Sequence, residues 1–125
     1  MKINEVIALV EKNCPGQTSG SEIINLINAV EHRVINEALS RYDGAEYDGD
    51  FRGYDVNSDG DRALLAPPPY DEMYVHYVMA RIFLTLHEQA HYNNELSLFN
   101  SVFQDYKVRL IQTMRPKGPK RRRAR

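Results

Sequence analysis

The sequence contains a single cysteine, Cys14, and no long apolar run. One thiol cannot form an internal disulfide or a cysteine-rich metal cluster, so the chain is compatible with a reducing cytosol. No stretch approaches the roughly 20 apolar residues that a transmembrane helix needs. Glu5 and Glu11 interrupt the apolar residues near the N-terminus, and a secretion signal is therefore not predicted. The remaining composition is typical of one globular domain with a modest core.

Acidic residues are missing from the C-terminal end of the sequence. All seventeen lie at or before Asp105, whereas seven of the sixteen basic residues lie in residues 115–125. The formal charge is therefore −8 up to Met114 and +7 beyond it. This division predicts a domain of residues 1–114 and a flexible basic arm of residues 115–125. The arm supplies these candidate partner-binding residues: Arg115, Lys117, Lys120, Arg121, Arg122, Arg123 and Arg125.

Apolar residues recur at helical spacing in the N-terminal third of the chain. The pattern predicts one helix over residues 2–13 and a second over residues 21–41. Ser19 and Glu22 have the spacing of a capping box at the start of the second helix. The apolar stripe of this helix places Glu31 on the opposite, polar side.

The third predicted helix begins at Tyr70 or Asp71 and is apolar nearly all round from residue 74 to residue 86. Such a helix is normally buried, so it is either the central helix of the domain or covered by a neighbouring subunit. The asparagine pair at 93–94 is expected to break it, and a fourth helix then runs to about Met114. These segments predict an all-α fold with a four-helix bundle-like domain.

Residues 42–69 lack the helical period and are rich in Asp, Gly and Tyr, which favour turns. A connection of this length between helices is usually functional. Aromatic side chains on a polar loop are typical of contact surfaces, so Tyr47, Phe51 and Tyr54 are further candidate partner-binding residues. Alternation around Phe51 and Tyr54 also allows a short β-hairpin within this insertion.

His87, Glu88 and His91 form an HExxH motif. On one helix, this spacing places two imidazoles on the same face for Zn²⁺, with the glutamate beside them as a general base. A catalytic zinc site also needs a third protein ligand, and His76 lies too far along the helix to supply it. A polar helix end is the simpler interpretation, and a zinc-dependent hydrolase is retained as an alternative function.

Residues 55–61 copy the first half of a calcium-binding loop of the D-x-N-x-D-G type. The ninth and twelfth positions of such a loop are occupied by Ala63 and Ala66, which offer no side-chain oxygen. An acidic turn is therefore the favoured interpretation and a weak structural calcium site is the alternative, so no metal or cofactor is assigned.

The basic arm also allows a second alternative, a nucleic-acid-binding accessory protein. It lacks the aromatic residues that stack on bases, so contacts to DNA would be made to the backbone and would depend on salt. We find no glycine-rich phosphate loop and no arrangement of a nucleophile with a histidine base.

The second half of the chain carries a pattern of proline, tyrosine and asparagine positions. It comprises Leu65-Ala66-Pro67-Pro68-Pro69-Tyr70-Asp71-Glu72-Met73-Tyr74, then Tyr77, Ala80-Arg81-Ile82, Glu88, Tyr92-Asn93-Asn94, Phe99-Asn100 and Tyr106. This pattern resembles the head–tail connector (adaptor) proteins of long-tailed bacteriophages. The first 64 residues are similar to that family only in layout.

The resemblance implies a structural virion protein without a cofactor or catalytic residue. Subunits of this family form a ring, commonly dodecameric, that joins the portal protein of the capsid to tail or stopper proteins. DNA passes through the channel of the ring without sequence-specific binding. The expected location is the head–tail interface of the virion, and the host cytoplasm during assembly.

Overall fold

A computed structural model describes residues 1–55, 57 and 59–117. This part of the chain is mostly helical and contains a short two-stranded sheet. The elements are α1 (Ile3–Asn13), α2 (Gly20–Glu37), a 3₁₀ helix (Leu39–Arg41), β1 (Tyr42–Asp43), α3 (Glu72–Thr85), α4 (Gln89–Thr113) and β2 (Arg115–Pro116). None of the helices described combines the length and the apolar character that crossing a bilayer requires.

Helix α2 begins as its sequence predicts but ends earlier. The Ser19 hydroxyl accepts a hydrogen bond from the amide of Glu22 at 3.2 Å, which caps the first turn. At the other end the chain leaves the α-helix at Ala38 and continues as the 3₁₀ helix. The Ser40 hydroxyl and the Arg41 guanidinium donate to the carbonyls of Asn36 and Glu37, which satisfies acceptors that the end of a helix leaves open.

The break between α3 and α4 does not lie at the asparagine pair, and that prediction was wrong. Helix α3 ends at Thr85, and α4 begins at Gln89 and runs through residues 93–94. The Gln89 side chain donates to Asn93 Oδ1 at 2.9 Å, so one asparagine is tied to the preceding turn of the helix. The chain reverses instead at Leu86–Glu88, where His87 adopts φ +60°.

Helix α3 is the central helix of the monomer. It packs along α4 and also contacts α1 and α2. Met73, Tyr74 and Val78 are fully buried, and Ile82 is 5% exposed. Most of the apolar surface of α3 is therefore covered within one subunit, whereas Leu84 near its end is 36% exposed and Leu86 just after it is 41% exposed.

The segment between β1 and α3, residues 44–71, forms no strand among its described residues, and the expected hairpin around Phe51 and Tyr54 does not form there. We call these residues the connecting segment. The strand β1 pairs instead with β2, so that Asp43 lies opposite Arg115. The amide of Lys117 donates to the carbonyl of Arg41 at 3.0 Å. The first three residues of the predicted arm are thus paired with the end of the 3₁₀ helix and β1, because antiparallel pairing satisfies their backbone groups.

Candidate functional site

A fully buried carboxylate, that of Glu31 on α2, fixes the inner side of the connecting segment. The hydroxyl of Tyr54 donates to Glu31 Oε2, and the hydroxyl of Tyr74 on α3 donates to Glu31 Oε1. The amide of Leu65 also donates to Oε2, at 3.0 Å. One side chain therefore joins the connecting segment to two helices. The sequence placed Glu31 on the polar side of α2, and that prediction was wrong.

The hydrogen-bond directions around Glu31 make it an acceptor. The Tyr74 hydroxyl accepts a hydrogen bond from the amide of Ala66 at 3.1 Å, so its own hydrogen is available for the carboxylate. Burial raises the pKa of the Glu31 carboxyl, and the three donors oppose that rise. Burial and the neighbouring carboxylate raise the pKa of the Tyr54 and Tyr74 hydroxyls, which stay protonated as donors.

Two glycines bring the connecting segment close to the helices. The amide of Tyr54 donates to Asn28 Oδ1 at 2.8 Å, and a Cβ on the preceding Gly53 would lie 2.9 Å from Asn28 Nδ2. Gly53 also adopts φ +112°, which a residue with a side chain rarely adopts. At Gly60 a Cβ would lie 2.5 Å from Asn4 Oδ1. These close approaches attach the segment to α1 and α2.

The three candidate contact aromatics do not share one environment. Tyr54 is only 8% exposed and belongs to the core, where its hydroxyl donates a hydrogen bond to the buried Glu31 carboxylate. Phe51 is half-buried between His32 and Tyr54, with ring centroids 5.2 and 4.9 Å apart. Tyr47 is half-buried against the core. Tyr47 and Phe51 are therefore partly accessible to a partner, whereas Tyr54 is buried.

Exposed charges of opposite sign meet at the end of the molecule where β1 and β2 pair. The connecting segment and β1 contain eight acidic residues, of which Asp43, Glu46, Asp48 and Asp50 are exposed around the turn after β1. Arg115 and Lys117 lie on the neighbouring strand and just after it. The candidate residues Lys120, Arg121, Arg122, Arg123 and Arg125 lie outside the described residues.

Two carboxylates of the calcium-like motif, those of Asp55 and Asp59, accept hydrogen bonds from backbone amides within the motif. The amide of Asp55 donates to Asp59 Oδ2 at 2.6 Å, and the amide of Asn57 donates to Asp55 Oδ1 at 3.0 Å. The Arg62 guanidinium lies 3.4 Å from Asp59 Oδ1. Within the described ranges, no three side chains of the His, Cys, Asp and Glu types converge as a metal site. These bonds are those of an acidic turn.

The HExxH motif straddles the turn between α3 and α4. His87 and Glu88 precede α4, and only His91 lies on the helix. The His91 ring stacks on Phe83, with centroids 5.0 Å apart. The i, i+4 placement that a zinc-binding HExxH requires depends on one continuous helix. The backbone at His87 breaks that continuity, so the zinc-hydrolase alternative loses its geometric basis.

We expect His87→Gly to raise the free energy of unfolding by about 0.5–1 kcal/mol, because glycine adopts a positive φ without the steric cost that a side chain incurs there. His91→Ala should leave the fold and the assembly nearly unchanged, since His91 is exposed. Chemical denaturation measures the stability of both variants, and elemental analysis should find zinc well below one ion per chain. Stoichiometric zinc that survives dialysis, lost in either variant, would contradict this interpretation.

The comparisons with known proteins add no relative. No protein-family model, curated protein or solved structure matches this chain.

Proposed function

We propose that this protein is a structural subunit of a ring-shaped bacteriophage head–tail connector, and that it has no enzymatic activity. In this proposal its helices form the bundle-like connector domain, with residues 42–69 as an insertion. The ring joins the capsid portal to tail or stopper proteins, and its channel lets DNA pass without sequence-specific contacts. Its place is the head–tail interface of the virion.

The observation that carries the proposal is the position of the residues on which the family resemblance depends. Asp71 is 5% exposed, and its Oδ2 atom lies 2.7 Å from the amino group of Met1. The hydroxyl of Tyr74 donates a hydrogen bond to Glu31. Tyr70 packs on Tyr106 of α4, with ring centroids 5.4 Å apart. A motif used in this way builds a framework rather than a reaction centre, as expected for a protein that works through contacts.

The charge distribution supports the same function. An acidic surface repels the phosphates of DNA, which favours passage over retention. A basic arm is suited to an acidic groove on another protein, because arginine binds carboxylates in a bidentate manner. We assign the attachment to the portal to Lys120, Arg121, Arg122, Arg123 and Arg125, with Arg115 and Lys117 at the root of the arm.

Co-sedimentation with the portal protein of the same phage tests the proposal. We expect this protein to sediment with portal rings and to remain in the supernatant without them. A linear DNA duplex of the same charge concentration serves as the competing ligand. Steeply salt-dependent binding to DNA without binding to the portal would contradict the connector function and favour the nucleic-acid alternative.

A further inference from the structure

The most exposed large apolar side chains lie together near the end of α4. Val108 is 49% exposed and Ile111 is 65% exposed, and they are three residues apart on the helix. We call these two residues the ridge. Residues at this spacing are neighbours on a helix surface, so the ridge is one continuous apolar patch.

A groove of about 560 Å³ lies between the same turns of α4 and the connecting segment. Its apolar lining includes Leu65, Pro67, Tyr70, Tyr106, Leu110 and Met114. Pockets of this size and composition are common binding sites for apolar groups.

The ridge and the groove belong to opposite faces of α4. At about 100° per residue, the mean direction of the α4 residues that line the groove differs from that of the ridge by about 180°. One subunit therefore cannot place its ridge in its own groove. The ridge and the groove both lie on the last turns of α4. In a contact between two copies, the end of α4 in one copy would therefore pack beside the end of α4 in the other.

The charges beside the two surfaces are complementary. Asp105 flanks the ridge along α4, three residues before Val108, and Arg109 lines the groove. The ridge thus offers a negative charge to an arginine of the groove. Lys107 lies over the Phe103 ring of its own subunit instead, at 4.8 Å from its centroid.

We infer that the ridge of one copy fills the groove of a second copy, and that this contact is the subunit interface of the ring. The inference rests on the proposed function, because it names the surfaces by which that ring would assemble. Two different patches that meet head to tail form a heterologous interface, which generates a ring when the rotation closes. The occupant of the groove is therefore another molecule of this chain.

Three variants test the interface. Ile111→Asp places a carboxylate on the ridge, and Thr113→Trp fills the groove from an exposed position in its lining. Leu98→Asp is the matched control, because Leu98 is a 39% exposed apolar residue of α4 away from the ridge. Glu46→Trp is a second groove variant should Thr113→Trp not fold. Circular dichroism verifies the helical content of each.

Sedimentation equilibrium without portal, up to high protein concentration, measures self-association. We expect Ile111→Asp and Thr113→Trp each to weaken it by about tenfold or more, because one buries an unpaired charge and the other removes the groove. Leu98→Asp should associate like the wild type. A mixture of Ile111→Asp with Thr113→Trp should form a dimer and stop there, since only one intact ridge and one intact groove remain.

Two results would overturn the interface. If Ile111→Asp abolishes association and Thr113→Trp does not, the ridges pack on each other and the groove is not involved. If the wild type does not associate at any concentration, the ridge and groove do not form an interface. Neither result decides portal binding, which co-sedimentation measures separately.

Discussion

Glu31→Ala is expected to lower the free energy of unfolding by about 3–5 kcal/mol. The substitution leaves three buried donors, the hydroxyls of Tyr54 and Tyr74 and the amide of Leu65, without their acceptor. Each buried donor without a partner costs about 1–3 kcal/mol. Urea denaturation followed by circular dichroism measures the change.

Glu37→Ala is the matched control for this substitution. Glu37 also lies on α2, but its side chain is 40% exposed and pairs only with Arg33 among the described residues. An exposed pair of this kind contributes about 0–1 kcal/mol. Equal losses in the two variants would show that Glu31 does not anchor the connecting segment.

The pH dependence of stability provides a second readout of Glu31. Burial raises the pKa of its carboxyl above the ordinary value of 4.5, so the folded chain binds this proton more tightly than the unfolded chain. The stabilisation from this proton is complete below the pKa of Glu31 in the unfolded chain. It is lost as pH rises through the higher pKa of Glu31 in the folded chain. Glu31→Gln should remove this decline. Identical pH profiles for the wild type and Glu31→Gln would contradict the assignment.

Truncation after Lys117 is expected to weaken the proposed attachment to the portal by about tenfold or more at low ionic strength, because five basic residues are lost and each ion pair contributes up to about 1 kcal/mol. The cut preserves the pairing of Arg115–Pro116 with Tyr42–Asp43. The difference should shrink as salt rises, since salt screens these charges. Co-sedimentation over a salt series measures the affinity.

A full-length variant with Lys120, Arg121, Arg122, Arg123 and Arg125 changed to glutamine is the control for length. It should match the truncated chain in affinity, and both should melt like the wild type. Equal affinity of the truncated and complete chains at every salt concentration would show that the arm is not an anchor. Loss of folding on truncation would place residues 118–125 in the core.

The helices were largely predictable from the sequence, because the period of their apolar residues is a local property. The turn at residues 86–88 could not be predicted in this way, because no residue there disfavours a helix as strongly as the asparagine pair at 93–94 does. Its position is set by tertiary packing, which returns Phe99 and Phe103 of α4 to the core. Local propensity is overridden at such points.

The burial of Glu31 had a signal in the sequence, which its charge obscured. Glu31 lies four residues after Ile27 and four before Ile35, so it shares the apolar stripe of α2. Its partners Tyr54 and Tyr74 are distant in sequence, and only the fold brings them together. The pairing of β1 with β2 is likewise a long-range contact between two-residue strands, too short to leave a pattern.

Electron microscopy of this protein mixed with bacteriophage portal rings tests the proposed connector function. We expect a closed ring of this protein stacked coaxially on one face of the portal, and only small species when the portal is left out. A monomer that never adds to the portal, at any concentration or ionic strength, would contradict the proposed function.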